Sequence, residues 1–260
     1  MTLRAVAVAG RGLVDPGGPV FRADDEALLR GAAAFETIRV YDGTPFLLDE
    51  HASRFRFSVG ALALAPPAEL APLVELVLGA GPPDGVLRLY RTSHDTIATL
   101  ADLPEGLEEQ RAQGITLRSV DLGAPALLAG VKSTSYAAAF AARRLAEERG
   151  ADDALLVADG VVLETATANV WWCRDGELFT PTTGAGVLPG VTRAFVLGLE
   201  QATEGAFDLA DLQEADEAFT TSSIREVMPV VAIDGRTVGD GRPGPAAARL
   251  QAAIRLHSRR

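Results

Sequence analysis

Of the 24 basic side chains in this sequence, a single one is lysine, Lys132; all the rest are arginine. A guanidinium cannot give up its proton near neutral pH and attack a carbonyl. A lysine amine, with an ordinary pKa of ~10.4, can be made to do so by burial or by imine formation. One lysine kept where arginine serves everywhere else marks a candidate amine nucleophile; the competing explanation is an arginine-rich codon bias with one survivor. Tyr136 lies four residues further on, one helical turn away, where its phenol can share the same pocket.

Other segments suggest a partner for that amine. Gly186-Val187-Leu188-Pro189-Gly190-Val191-Thr192-Arg193 places glycine, proline and a hydroxyl residue at an expected helix start. There the first backbone N–H groups and the positive dipole end can seat a phosphate without a Walker sequence. Thr221-Ser222-Ser223, at the end of an expected strand, offers further donors to an anion, and Arg54 could add formal charge. Glu164 closes a strand ahead of Thr165-Ala166-Thr167-Ala168-Asn169, where its carboxylate could hold a protonated ring nitrogen. Each of these also has a plainer explanation: an ordinary helix start, a solvated helix face, a surface turn.

Composition narrows the classes. Hydrophobic residues make up 48% of the 260, enough for a real core, so global disorder is excluded. A net charge of −11 argues against nucleic acid as a partner, because a binder needs a basic face to displace counterions. The single cysteine, Cys173, and three scattered histidines, His51, His94 and His257, provide neither a disulfide framework nor metal-ligand spacing. No signal peptide or membrane-length apolar run is expected, which points to the cytoplasm and away from a membrane partner.

These residues need strands and helices to position them. Ala34–Tyr41 reads as a strand, Asp42-Gly43 as a hairpin turn and 45–48 as the returning strand. Asp49 is the expected N-cap of a helix over 50–64, ended by Pro66-Pro67, and a second helix covers 68–78. A strand over 86–93 carries Arg88 and Arg91. The stretch 98–113 reads as a mobile polar loop, and 115–120 as a strand. The connector 123–130 is expected to divide a small N-terminal domain, 1–122, from a larger domain, 131–260. Beyond it come a helix over 135–149, strands over 153–157, 161–164, 170–173 and 177–180, a helix over 190–199, strands over 218–221 and 228–233, and a terminal helix over 245–256.

Taken in order, the motifs resemble those of fold-type IV pyridoxal-phosphate enzymes, the class IV aminotransferase family. Phe35-Glu36-Thr37-Ile38-Arg39-Val40-Tyr41-Asp42-Gly43 is similar to the family's hairpin. Leu48-Asp49-Glu50-His51 with Arg54 is similar to its helix start, and Lys132-Ser133-Thr134-Ser135-Tyr136 to its Schiff-base lysine segment. Glu164–Asn169, Thr180-Pro181, Leu188–Arg193 and Ser222-Ser223 with Glu226 and Pro229-Val230 complete a match that runs nearly end to end. The resemblance implies an α+β fold of two domains, a smaller N-terminal α/β domain and a larger C-terminal pseudo-barrel domain.

It also implies pyridoxal 5′-phosphate as cofactor, an amino acid and a 2-oxo acid as small-molecule partners, and a homodimer with its active site near the subunit interface. Lys132 would carry the Schiff base and shuttle the proton, and Glu164 would pair with the ring nitrogen. Arg54, Val191, Thr192, Ser222 and Ser223 would hold the phosphate, and Tyr136 would contact the cofactor's 3′-oxygen. Phe35, Thr37, Arg88 and Arg91 would line the substrate position. Arg88 and Arg91 stand at an odd spacing on one strand, so only one can face the cleft; the resemblance to branched-chain relatives, which place a strand arginine near the substrate, favours Arg88. D-amino-acid aminotransferases of the best-known type grip the α-carboxylate with an Arg-x-His pair; the stretch 98–113 has only Arg111 and no histidine. Branched-chain enzymes usually have glycine where Thr37 stands. The ending Ser222–Val230 favours transamination of D-amino acids, branched-chain amino acids or amines. Aminodeoxychorismate lyase, and a degenerate binding protein that has lost catalysis, stand as the alternatives.

Overall fold

Along Ala34–Tyr41 every second side chain is buried: Ala34, Glu36, Ile38 and Val40 point into a core, and Phe35, Thr37, Arg39 and Tyr41 lie on the other, half-buried face. That period of two is the mark of a strand packed on one side. The computed structural model describes residues 1–123 and 128–259, and the chain forms two compact units, Met1–Glu105 with Val131–Tyr136, and Gly106–Gly130 with Ala137–Arg260.

The first unit holds β1 (Leu3–Val8), β2 (Gly12–Val14), α1 (Glu26–Arg30), β3 (Ala34–Tyr41), β4 (Thr44–Pro45), α2 (Leu48–Ala61), α3 (Leu70–Ala80), β5 (Gly85–Arg91) and β6 (Thr96–Ala101). Its antiparallel sheet runs β2-β1-β6-β5-β3-β4. Phe55 and Val59 of α2 and Leu73, Val74 and Val77 of α3 pack against Ile38, Val40, Leu87 and Leu89, so both helices cover one face of the sheet. The segment Val131–Tyr136 is sewn to the start of β3. The Phe35 N–H donates to the Lys132 carbonyl (3.0 Å), the Thr134 N–H to the Ala33 carbonyl (2.9 Å) and the Thr134 hydroxyl to the Gly31 carbonyl (2.7 Å).

The second unit begins with α4 (Leu107–Gln113), β7 (Ile115–Asp121), α5 (Ala137–Glu147), β8 (Asp153–Ala158), β9 (Val161–Thr165), β10 (Asn169–Arg174) and β11 (Glu177–Pro181). It continues through α6 (Val191–Leu199), β12 (Thr203–Gly205), α7 (Leu209–Gln213), β13 (Glu217–Ser222), β14 (Glu226–Ile233), β15 (Arg236–Thr237) and α8 (Pro245–His257). Strands β10-β13-β14-β7-β8-β9 pair in that order, and β9 returns to β10 through the single pair Glu164↔Asn169. The sheet therefore closes into a barrel, and the residue pair that closes it includes the candidate ring-nitrogen partner. Closure removes the exposed edges that an open sheet would leave unpaired. Trp172, Val170, Met228, Leu117 and Leu155 fill one core, where the Trp172 ring meets the edge of Phe207 at 4.9 Å.

Several expectations change. The stretch 98–113 is no loop: its first residues belong to β6, buried at every position, and Leu107–Gln113 is helical. A strand enclosed between β1 and β5 with helices on the sheet shows no alternation, so period alone misses it. Strand β7, assigned by sequence to the small domain, pairs with β14 and β8 in the barrel, and the Lys132 segment assigned to the large domain belongs to the first unit. The expected connector 123–130 falls partly on 124–127, which lie outside the described residues. Helix α2 starts one residue before Asp49, after Leu47 in a left-handed conformation (φ 52°), and Asp49 instead occupies its first turn, where its charge suits the helix dipole.

Candidate active site

In the first unit the Lys132 amine lies 4.5 Å from the centre of the Phe35 ring and 5.9 Å from that of Tyr136. The two rings meet edge to face at 5.6 Å, and Phe35 also stacks on Tyr90 at 6.2 Å. Tyr136 precedes α5, so it meets Lys132 through the non-helical segment Val131–Tyr136 and not across a helical turn. The backbone N–H of Lys132 donates to the Ser58 hydroxyl of α2 at 3.1 Å, which fixes where the side chain starts. Thr37 and Arg88 are register partners, hence neighbours on the same sheet face as Phe35 and Tyr90. Arg91 is on the opposite face, buried, with its Nε donating to the Ala65 carbonyl at 2.8 Å. The structure thus leaves Arg88, and not Arg91, beside Phe35 and Thr37.

Beneath that sheet is a buried charge cluster that sequence reading missed. Glu36 is fully buried and accepts from Arg54 Nε (2.7 Å) and a terminal Arg54 nitrogen (2.8 Å), and from His51 Nδ1 (2.7 Å). Burial alone would raise the Glu36 pKa, but the hydrogen bonds from Arg54 and His51 prevail and bring it down to about 2. Burial also lowers the His51 pKa despite Glu36 beside it, so His51 is neutral and donates its Nδ1 proton. The signal for this cluster was present as Glu36, His51 and Arg54 in two of the motifs, but their contact is nonlocal.

A depressed carboxylate pKa contributes stability that is complete above the unfolded value, 4.5, and is lost as pH falls through about 2. That difference is worth on the order of 3 kcal/mol. Urea unfolding of the wild type and Glu36→Gln should therefore differ most near pH 7 and converge as pH falls below about 3. A gap that does not shrink would show that Glu36 is not ionised through this range.

In the second unit one side chain, Asn169, organises the site. Its Nδ2 donates to Glu164 Oε2 (2.9 Å) and to the Leu188 carbonyl (3.0 Å), and the Leu188 N–H donates to Glu164 Oε1 (3.2 Å). Both oxygens of Glu164 are thus oriented by fixed donors. Asn169 also faces Thr221 across the β10–β13 ladder, and the Thr221 hydroxyl accepts from Trp171 Nε1 at 2.9 Å. A Cβ on Gly190 would lie 2.0 Å from Asn169 Oδ1, so only glycine lets the chain turn here into α6. No side chain caps α6, which leaves the N–H groups of Val191 and Thr192 at the open helix start, with the Thr192 side chain buried beside them. Ser222 and Ser223 occupy the β13–β14 hairpin, where the Ser222 hydroxyl accepts from the Arg225 N–H at 3.3 Å.

The first unit thus carries the lysine amine beside aromatic rings, and the second carries an oriented carboxylate with hydroxyl and N–H donors of the kind that suit a phosphate. The family model for amino-transferase class IV matches residues 33–233, and the chain belongs to that family. A D-alanine aminotransferase of Bacillus licheniformis is 31% identical over 253 residues, 89% of each chain. The aminodeoxychorismate lyase of Bacillus subtilis is 29% identical over 255 residues, 87% of this chain and 86% of its own. Among solved structures, a hypothetical aminotransferase from Mycobacterium tuberculosis, with alpha-ketoglutarate and PMP bound, superposes with a TM-score of 0.88 at 28% identity, over 97% of this chain and 98% of that one.

Proposed function

We propose that this protein is a pyridoxal-phosphate-dependent aminotransferase that moves an amino group between an amino acid of the D- or branched-chain type, or an amine, and a 2-oxo acid. The observation that carries this reading is the chain's sole lysine, held by its backbone on Ser58 and Phe35 with its amine 4.5 Å from the centre of the Phe35 ring and 5.9 Å from that of Tyr136. The residues fit the cofactor: an uncapped helix start with a buried hydroxyl for the phosphate, and a carboxylate aimed by two donors for the ring nitrogen. When bound, the cofactor supplies an electron sink for the pair released at the substrate Cα.

Each remaining task falls to a residue. The Lys132 amine holds the cofactor's carbonyl carbon and, once released, carries the proton at Cα. Glu164, oriented by Asn169 and the Leu188 N–H, would hold the proton on the ring nitrogen. Val191, Thr192, Ser222 and Ser223 hold the phosphate with Arg54, whose guanidinium is aimed by Glu36. Tyr136 orients the ring through its 3′-oxygen. Phe35, Thr37 and Arg88 receive the substrate, with Arg88 as the cation for its carboxylate.

We expect Arg88→Ala to raise KM for both amino donor and oxo acceptor by roughly 10–100-fold with kcat little changed, since an unpaired carboxylate weakens binding in ground and transition states alike. Arg91→Ala should lower stability and leave both KM values in place. Steady-state kinetics with both substrates varied checks this, and an unchanged KM in Arg88→Ala would move the carboxylate grip elsewhere.

The reading extends to a homodimer in the cytoplasm. It is supported by Leu28 and Leu29, strongly exposed on α1, and by a lone cysteine; no described helix is long and apolar enough to cross a membrane. Light scattering reports the oligomer. The function itself is tested by incubating the protein with the cofactor, reducing with borohydride and locating the modified peptide by mass, then following half-reactions with D- and L-amino acids, both enantiomers of phenylethylamine, and aminodeoxychorismate. Label on Lys132 with amino-group transfer to an oxo acid is the expected result. Pyruvate release from aminodeoxychorismate with no oxo acid consumed would make it a lyase, and no cofactor uptake would make it a binding protein without catalysis.

A further inference from the structure

Arg111 is the only cation in the stretch 98–113, and the structure commits it to the turn between β13 and β14. Strands β13 and β14 end on the register pair Ser222↔Glu226, joined by Ser223, Ile224 and Arg225. Glu226 has φ +57°, a left-handed conformation that a non-glycine residue adopts at a cost, yet it is nearly fully buried. Its carboxylate accepts from Gln251 Nε2 (2.6 Å), from a terminal nitrogen of Arg111 (2.9 Å) and from Arg255 (3.3 Å). Arg111 also donates to the carbonyls on either side of Glu226, that of Arg225 at 3.0 Å and that of Val227 at 3.2 Å. Gln251 completes the clamp by accepting the Val227 N–H at 3.0 Å. A second tie joins the Arg225 guanidinium to buried Asp153 at 3.1 Å.

The backbone of Arg225–Val227 is thus gripped from α4 and α8 at both carbonyls, at one N–H and at the side chain between them. A short hairpin in an unfavourable conformation keeps that shape only when its surroundings over-determine it. Just upstream, three and two residues before Arg225, stand Ser222 and Ser223, whose hydroxyls and N–H groups can serve an anion only if they converge before it arrives.

We propose that Arg111, acting through Glu226, is a positioning residue for phosphate recognition: it fixes the β13–β14 hairpin so that Ser222 and Ser223 are preset to receive the phosphate of the cofactor. This rests on the phosphate role given to the two serines above. Arg111 touches no cofactor atom in this scheme; its guanidinium fork is needed because one side chain must reach a carboxylate and two carbonyls, which a lysine ammonium cannot do in the same plane.

The test uses the full-length protein freed of cofactor, titrated with pyridoxal 5′-phosphate and, separately, with pyridoxal, which lacks the phosphate. Tryptophan fluorescence follows binding. Arg111→Met should weaken pyridoxal phosphate about 10-fold or more while pyridoxal stays within about twofold, with Arg111→Lys nearly as weak. A role in general stability would weaken both ligands alike, so equal losses, or none, overturn the proposal. If Arg111→Met does not fold, Gln251→Leu gives the same ratio test from the other side of the clamp. A Ser222→Ala, Ser223→Ala double variant serves as the reference. Unchanged discrimination there refutes the phosphate role of the serines and the proposal with it, whereas loss of discrimination there but not in the Arg111 and Gln251 variants refutes the positioning role alone.

Discussion

Replacing Lys132 with alanine is expected to abolish amino-group transfer, lowering kcat/KM by roughly 10⁴-fold or more, because no other side chain in the protein can both hold a carbonyl carbon and return a proton to Cα. Lys132→Arg should fail as completely, since its guanidinium stays charged and is not nucleophilic at neutral pH. Neither change should unfold the protein. The contacts that seat this segment are made by backbone atoms, the Lys132 N–H to Ser58 and the Lys132 carbonyl to Phe35, and both survive substitution. Activity, thermal melting and borohydride labelling separate the outcomes: inactive, folded and unlabelled is the expected set. Turnover near the wild-type value in either variant would place the chemistry at another residue.

Glu164→Gln should retain the cofactor and slow proton removal from Cα by roughly 10²–10⁴-fold, because a neutral amide stabilises a protonated ring nitrogen far less than a carboxylate does. The surroundings sharpen the effect. Glu164 Oε1 and Oε2 each face a donor, the Leu188 N–H and the Asn169 amide, so any amide nitrogen placed there meets an N–H it cannot accept. That mismatch costs about 1–3 kcal/mol of local stability. Single-turnover kinetics with a Cα-deuterated amino acid reads the proton step directly. A loss of only a few-fold with an unchanged isotope effect would remove Glu164 from the ring nitrogen.

Much of the site could be read from the linear chain because its signals are local. The uniqueness of Lys132 is a matter of composition, the turns at Asp42-Gly43, Asp159-Gly160, Asp175-Gly176 and Asp234-Gly235 need positive φ at both residues, which Asp and Gly adopt more readily than other types, and the helix start at Val191 follows from Pro189-Gly190. The same holds for most strands of the barrel, whose β-branched and aromatic runs match their observed spans within a residue or two. Glu164 and Thr192 were accessible in this way, as members of motifs.

What the chain by itself determined, then, is which residue types are available and which short elements carry them, since propensity, capping and turn chemistry act over a few residues. Tertiary structure decided the rest. An odd spacing separates Arg88 from Arg91, but only packing of α2 and α3 on one sheet face makes Arg91 structural and leaves Arg88 beside Thr37. Glu36 became the buried anchor of Arg54 and His51 through contacts spanning 18 and 15 residues, and Arg111 became a clamp on Glu226 across 115. The barrel closes at Glu164↔Asn169 because six strands complete a ring, a condition that no single strand encodes. Strand β6 was invisible for a related reason: burial on both faces erases the alternation by which a strand is recognised, and burial is a property of what surrounds a segment, not of the segment.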